Sequence, residues 1–208
     1  TPAASSTVKF ATPVGAAASS VELSTNGLSA CFLGTAQAGA KSDVAVALGE
    51  GSFYYFEATR TQAANVVLGI SATADTEPPT GGFVPRADTL VVSGSVLLTK
   101  DGAGAMVSNP AGTGNVFGFA VDLRSAYPAV SVIAPASANP SACSGLAAAA
   151  PCVIYRWQSA APAAALSIYA WGSGDGTNGP RGSINTGSDQ LPRPYTYATG
   201  AVLSLLRA

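Results

Sequence analysis

A chain of 208 residues that is 48% apolar but only 10% charged, with a net charge of −1 and no histidine, excludes several functions at once. It has no basic stripe to neutralise nucleic-acid phosphates or to meet an anionic membrane surface, and no run of 18 or more apolar residues from which a bilayer-spanning helix could form. The missing imidazole removes Ser-His-Asp and Cys-His catalysis together with histidine metal ligation.

In chain order, residues 1–19 read as a leader with a possible strand at 7–11, and residues 20–208 as one domain. The polar opening Thr1-Pro-Ala-Ala-Ser-Ser fits either a removed signal peptide or excision of Met, origins that imply different compartments. Val21-Glu-Leu-Ser, Asn26-Gly27 and Leu28-Ser-Ala-Cys-Phe-Leu33 predict a hairpin, with Asn-Gly supplying the positive φ of a tight turn. Residues 43–48 predict a strand. The segments 53–60 and 65–72 are rich in β-branched and aromatic residues and bounded by Gly, Asn and Ser, as strands are. A loop with Pro78-Pro79 and Gly81-Gly82 follows, then strands at 89–92 and 95–99 with turn residues at Lys100-Asp-Gly102, a Gly-containing turn type.

A second loop over 109–114 precedes a strand at 116–123, and further strands are predicted at 129–134, 153–157 and 166–171. An Ala/Ser/Pro insertion spans 135–151 and a glycine loop spans 172–182. The chain closes with strand-like pieces at 183–185, 195–197 and 201–206. Roughly a dozen short strands with almost no helical periodicity predict an antiparallel all-β fold in one domain, a class that often runs to this length undivided.

Three cysteines are present. Cys143 and Cys152 flank a short Ser-Gly-Leu-Ala-Ala-Ala-Ala-Pro loop and are close enough to pin it as a disulfide; the alternative is a pair of reduced thiols. Cys31 lies among apolar neighbours and reads as a small buried hydrophobe. The spacing fits no zinc pattern, so no metal or cofactor is expected.

Several of these segments, in this order, resemble the SPRY family, a two-sheet sandwich similar in architecture to the concanavalin-type lectins and glucanases. Residues 49–60, with Phe53-Tyr-Tyr-Phe-Glu57, resemble the family's "YYFEV" strand. Leu68-Gly-Ile-Ser71 resembles its "GIG" strand, and Gly114-Asn-Val-Phe-Gly-Phe-Ala-Val-Asp-Leu123 its "GDVIGCALDL" strand. The segment from Gly182 to Tyr197, with Asn185-Thr-Gly187 and Pro194-Tyr-Thr-Tyr197, resembles the last block. The likeness spans about residues 20–205 and implies an antiparallel two-sheet β-sandwich, or jelly roll, that binds through variable loops. The family's "F-x-x-N-G" hairpin is missing after Leu123, and the segment 163–182 is enlarged. Ala/Gly abundance with few Lys suits a GC-rich bacterial or phage genome and hence a divergent member.

Paired carboxylates for glycoside hydrolysis are thinly represented, since only Asp75 and Glu77 are spaced by two, at the edge of a Pro/Gly loop. In the glycine loop, Asp175 and Asn178 could face a calcium ion, but one carboxylate is meagre for that role. Alternation in Leu166-Ser-Ile-Tyr-Ala-Trp171 sends Tyr169 and Trp171 to the face opposite Leu166 and Ile168. They form either an aromatic plate for a sugar or a protein side chain, or packing in a sheet covered on both sides. Val153, Tyr155 and Trp157 form a second one-faced set, assigned to the core, with Ile154 and Arg156 outward. Glu57 and Asp122 lie in strands the resemblance makes central and need partners, for which Arg60 and Arg124 are the candidates.

The sequence therefore predicts a non-catalytic recognition or adhesion module, secreted or on a cell surface. Its rim loops 76–86, 109–115 and 171–181 would meet a glycan or protein partner, with Trp171, Tyr169, Asp175, Asn178 and Arg181 as contacts. A self-assembling coat or fibre protein on a virion surface is the first alternative, because sparse charge and small residues suit repeated self-contact. A glycan hydrolase is the second.

Overall fold

Runs of β-branched and aromatic residues between glycine and polar turns build the strands of the computed structural model, which describes residues 8–43, 46–47, 53–61, 66–72, 90–93, 96–99, 102–106, 116–125, 127, 129–158, 165–185 and 196–197. Eight strands form one antiparallel sheet in the order β1 (Phe10–Val14), β4 (Ala38–Ser42), β14 (Ala165–Gly172), β7 (Val66–Ala72), β8 (Leu90–Ser93), β9 (Val96–Thr99) and β10 (Gly102–Met106), with β5 (Val46–Ala47) beside the start of β14. Seven form the other: β13 (Pro151–Gln158), β12 (Ala129–Pro135), β11 (Val116–Asp122), β6 (Phe53–Arg60), β15 (Arg181–Asn185), β3 (Ser29–Phe32) and β2 (Val21–Leu23). Among the described residues the only helical turns are two of 3-10 type, at Ala18–Ser20 and Ala136–Ala138.

Alternation along the strands supplies the core between the layers. Phe56 and Ala58 of β6 and Phe117, Phe119 and Val121 of β11 face Val66, Leu68 and Ile70 of β7 and Leu166, Ile168 and Ala170 of β14. Phe56 and Phe119 stack with ring centroids 4.8 Å apart. Each of the larger of these side chains, the alanines apart, contributes on the order of 1.5–3 kcal/mol by leaving water. Arg60 continues the inward face of β6. Its guanidinium lies 5.6 Å from the centre of the Phe117 ring and donates from Nη1 to the Val66 carbonyl at 3.2 Å. Burial pushes it down to about 10, which leaves it charged at neutral pH.

The predicted hairpin is present: β2 pairs with β3, and Gly27 takes φ +69°. Strands β6, β7, β11, β12 and β14 fall within a residue or two of their expected positions. Two strands were not foreseen, β4 (Ala-Gly-Ala-Lys-Ser) and β10 (Gly-Ala-Gly-Ala-Met), because residues so small carry no β-propensity signal. In the supposed leader, residues 10–14 form β1. A bulge between Phe10 and Thr12 turns Phe10 to the core and Val14 to the outer face, a reversal that four residues of regular strand would not give. The expected core set on β13 is corrected in the same way. The register slips between Val132 and Ile133, so Ile154 turns inward and is buried with Trp157, whereas Val153 is only half-buried. The loops at 76–86 and 109–115, Asp75, Glu77 and the closing strand at 201–206 lie outside the described residues.

Cys143 and Cys152 are disulfide-bonded, and Cys31 is free and buried. The bonded excursion leaves β12 and returns as β13. Its backbone is knit by Cys143 N–H to the Asn139 carbonyl, Ala136 N–H to the Ala150 carbonyl and Ser137 N–H to the Ala148 carbonyl.

Candidate functional site

The register places several connections at one end of the sandwich. Val116 lies opposite Thr59, Gly182 opposite Arg60 and Gly172 opposite both Ala38 and Val66. The turn 33–37, Thr61, the glycine loop 173–180 and the disulfide-bonded excursion therefore share this rim.

The glycine loop is built onto the end of β3. Gly174 and Gly176 donate their N–H groups to the carbonyls of Gly34 (2.6 Å) and Leu33 (2.8 Å), and the Phe32 N–H reaches the Pro180 carbonyl at 3.1 Å. A side chain at Gly174 or Gly179 would collide with the Phe32 carbonyl oxygen, and Gly176 sits at φ +93°. The glycines thus permit close approach of two backbones. At the tip, Asp175 Oδ1 accepts the N–H groups of Asn178 (2.7 Å) and Thr177 (2.9 Å). These two bonds, Asn178 first, hold the Asp175 carboxyl below the usual carboxylate range. The carboxylate closes a turn, and among the described residues no group of three or more Cys, Asp or Glu side chains gathers to hold a metal.

Asp175, Thr177 and Asn178 are exposed, as are Thr35, Ala36 and Gln37 on the adjacent turn. Arg181 opens β15 beside them. Its backbone N–H donates to Thr61 Oγ1 at 2.8 Å, its side chain is exposed, and no carboxylate among the described residues pairs with it.

Tyr169 and Trp171 are not at this surface. They are 0% and 4% exposed and stack with centroids 4.7 Å apart and planes 4° from parallel, in a small cluster with Val14 and Val67. Gly39, opposite Trp171 on β4, leaves room for the indole; a Cβ there would meet Trp171 Cδ1 at 2.8 Å and Val14 Cγ2 at 2.7 Å. The expected aromatic contact surface is therefore corrected to a second apolar layer. Alternation separates the two faces of a strand but cannot say whether the second is wet.

The candidate partners of the strand carboxylates divide. Asp122 is bound by Arg124, whose Nε and Nη2 donate to Oδ1 at 2.9 Å and Oδ2 at 2.6 Å, and this pairing lowers the carboxyl from its ordinary value. Glu57 has no arginine; Arg60 leaves the strand on the opposite face. The Glu57 carboxylate accepts instead from the Tyr55 hydroxyl and from the backbone N–H groups of Thr196 and Tyr197.

A concavity absent from the sequence reading lies on the outer face of the other sheet, over β6, β11, β12 and β13. It encloses about 300 Å³ and is lined mainly by Phe53, Ala120, Asp122, Ser131, Arg156 and Gln158. Cross-strand pairing explains its shape. Gln158, Ala129, Asp122 and Phe53 form one row, and Arg156, Ser131, Ala120 and Tyr55 the next, so small residues lie between larger flanking ones. No single strand shows this, since each contributes only one or two members.

No protein-family model matches the chain, and none of the curated proteins matches it in sequence. Its structure is similar to the SPRY domain of human HERC1 (TM-score 0.52, 11% identity, 84% of this chain and 98% of that one). It is also similar to the PSpry domain of TRIM65 (TM-score 0.54, 12% identity, 88% and 90%) and to a human SPRY domain (TM-score 0.52, 9% identity, 86% and 97%). The antiparallel two-sheet sandwich is thus of the SPRY type, and at such identities the likeness is one of fold.

Proposed function

We propose that the chain is a non-catalytic recognition module whose rim, formed by residues 33–37 and 173–181, meets a protein partner. The observation that carries this reading is the fixing of the glycine loop on β3. Backbone bonds hold the exposed Asp175–Asn178 tip beside Thr35–Gln37 before any partner arrives, so little ordering cost remains for binding. Arg181 supplies a cation and Asp175 a carboxylate tied into its own turn, and the rest of the surface offers hydroxyls and amides. With Tyr169 and Trp171 inside, this part of the rim has no ring on which a sugar would stack, which favours protein over glycan. Because the rim's charges are few and Asp175 offsets Arg181, binding varies little with salt.

A secreted or cell-surface setting fits the disulfide, which persists in oxidising compartments; no helix among the described residues is long and apolar enough to cross a membrane. Self-assembly, as in a coat or fibre, is the second reading. It is favoured by the excursion 136–150, which carries no charged residue and exposes Leu146 at 51%.

Display of folded domains and peptides against the protein, run beside a glycan array, tests these readings. Protein clones whose binding is lost in Gln37→Ala/Asn178→Ala/Arg181→Ala, with the circular dichroism unchanged, support the rim. Glycan-only signal, or clones indifferent to the triple variant, refutes it. A concentration-dependent oligomer in light scattering that disappears in Leu146→Ser selects assembly instead.

A further inference from the structure

The concavity on the outer face of β6, β11, β12 and β13 lies away from the rim, and its chemistry is uneven from side to side. On the β13 side, Arg156 and Gln158 stand two residues apart with exposed side chains, and Ser131 is directly opposite Arg156. No carboxylate among the described residues pairs with Arg156. On the β6 side the lining is Phe53, with Ala120 and Ala129 as the low floor between.

Charge decides what fits. Asp122 also lines the hollow, but Arg124 neutralises it through a two-pronged pair, and Asp122 stands two strands away from β13, about 10 Å at ordinary strand spacing. Among the described residues, the face is left with one uncompensated positive charge, at Arg156. A guanidinium with an adjacent amide and hydroxyl matches the planar two-oxygen geometry of a carboxylate. A dianion would leave its second charge without a cation, near Asp122. Beyond the polar side, the alanine floor and the Phe53 ring offer apolar contact for a body the size of a few carbons. A volume of about 300 Å³ sits at the small end of ligand sites.

We infer that this hollow is a second ligand site, taking a monocarboxylate on a short apolar body, with the carboxylate at Arg156, Ser131 and Gln158 and the body against Ala120, Ala129 and Phe53. Such a group comes either as a free organic acid or as an acidic side chain of a polypeptide. The two share the recognition chemistry and differ in how much neighbouring surface they cover.

The test is a titration of the isotopically labelled protein followed by NMR, using 3-phenylpropionate, its uncharged amide 3-phenylpropanamide, inorganic phosphate, and an N-acetyl-glutamyl-valine amide peptide. The expected result is saturable shifts at Ser131, Arg156 and Gln158 with 3-phenylpropionate or the peptide and none with the amide. Arg156→Gln should weaken binding at least about tenfold, the loss expected for one charge-assisted bidentate contact, while leaving the remaining spectrum in place. Tighter binding of the peptide than of 3-phenylpropionate assigns the polypeptide source, and the reverse assigns the free acid. Equal response to phosphate, shifts that survive Arg156→Gln, or no saturable shift with either carboxylate would overturn the site.

Discussion

The Glu57 carboxylate holds the backbone of Tyr197, accepting its N–H on Oε1 at 2.7 Å and that of Thr196 on Oε2 at 2.7 Å. Tyr55 donates its hydroxyl to the same Oε1 at 2.9 Å, and the Tyr197 hydroxyl donates to the Val116 carbonyl at 3.0 Å. A segment 140 residues further along the chain is thereby fastened to the outer face of β6 and β11 by one side chain. Glu57 is 3% exposed, so its acceptors face little competition from water.

Glu57→Ala should leave two backbone donors and a tyrosine hydroxyl without their acceptor. The Tyr197 N–H is buried and costs about 1–3 kcal/mol when orphaned, the two part-buried donors cost less, and a total loss of about 3 kcal/mol is expected in urea denaturation. Glu57→Gln keeps one oxygen and should lose about half as much. An unchanged midpoint in both variants would contradict the fastening role.

Tyr197 carries a pH signature. Burial first, and the neighbouring Glu57 charge second, push its phenol up to about 12 from the ordinary 10.0. A group with a raised folded-state pKa stabilises fully below its unfolded value and loses that contribution as pH rises through the folded value. Stability should therefore decline between pH 10 and about 12. Tyr197→Phe should remove this part of the decline, and phenolate absorbance should show one tyrosine fewer titrating late.

Trp171→Ala should destabilise by about 3–5 kcal/mol, the usual cost of deleting a buried large aromatic. Gly39→Val should cost about 1–3 kcal/mol by overpacking against the same indole. The two together should cost less than their sum, since the valine fills space the indole vacates. Thermal or chemical denaturation of the three variants measures this coupling, and strict additivity would refute it.

Cys143→Ser/Cys152→Ser opens a loop whose ends are nine residues apart. A closure this short is worth about 2–3 kcal/mol in the chain-entropy account. Amide exchange should accelerate over 139–150 while the core of β6 and β11 stays protected. Uniform acceleration across both sheets would show that the bond supports the whole fold.

Strands that bury large residues were visible in the sequence: Phe53-Tyr-Tyr-Phe and Val116-Phe-Gly-Phe announce themselves through β-propensity and alternation. Strands made of alanine and glycine were not, and β4 is the instructive case. Ala38 and Ala40 face the core and Gly39 faces Trp171, so their smallness is dictated by neighbours distant in the chain. The same holds for function. Asp175 and Asn178 could be placed on an exposed loop from glycine content, but the anchoring of that loop on Phe32 and Leu33 is a tertiary contact. The burial of Tyr169 and Trp171 depends on what covers the second face, and the Arg156 hollow on four strands meeting in register. Neither is written in any local pattern.

Arg60 gives the sandwich a property that its greasy interior alone would lack. Two apolar layers can slide over one another at little energetic cost, because dispersion has no direction. The guanidinium reaches from one layer to a carbonyl on the other, at Val66, and a lateral shift of one pleat would break that bond in a dry place. The layers are thereby keyed to one alignment, and Thr61 and Arg181, bonded to each other just beyond Arg60, inherit that alignment as a fixed spacing.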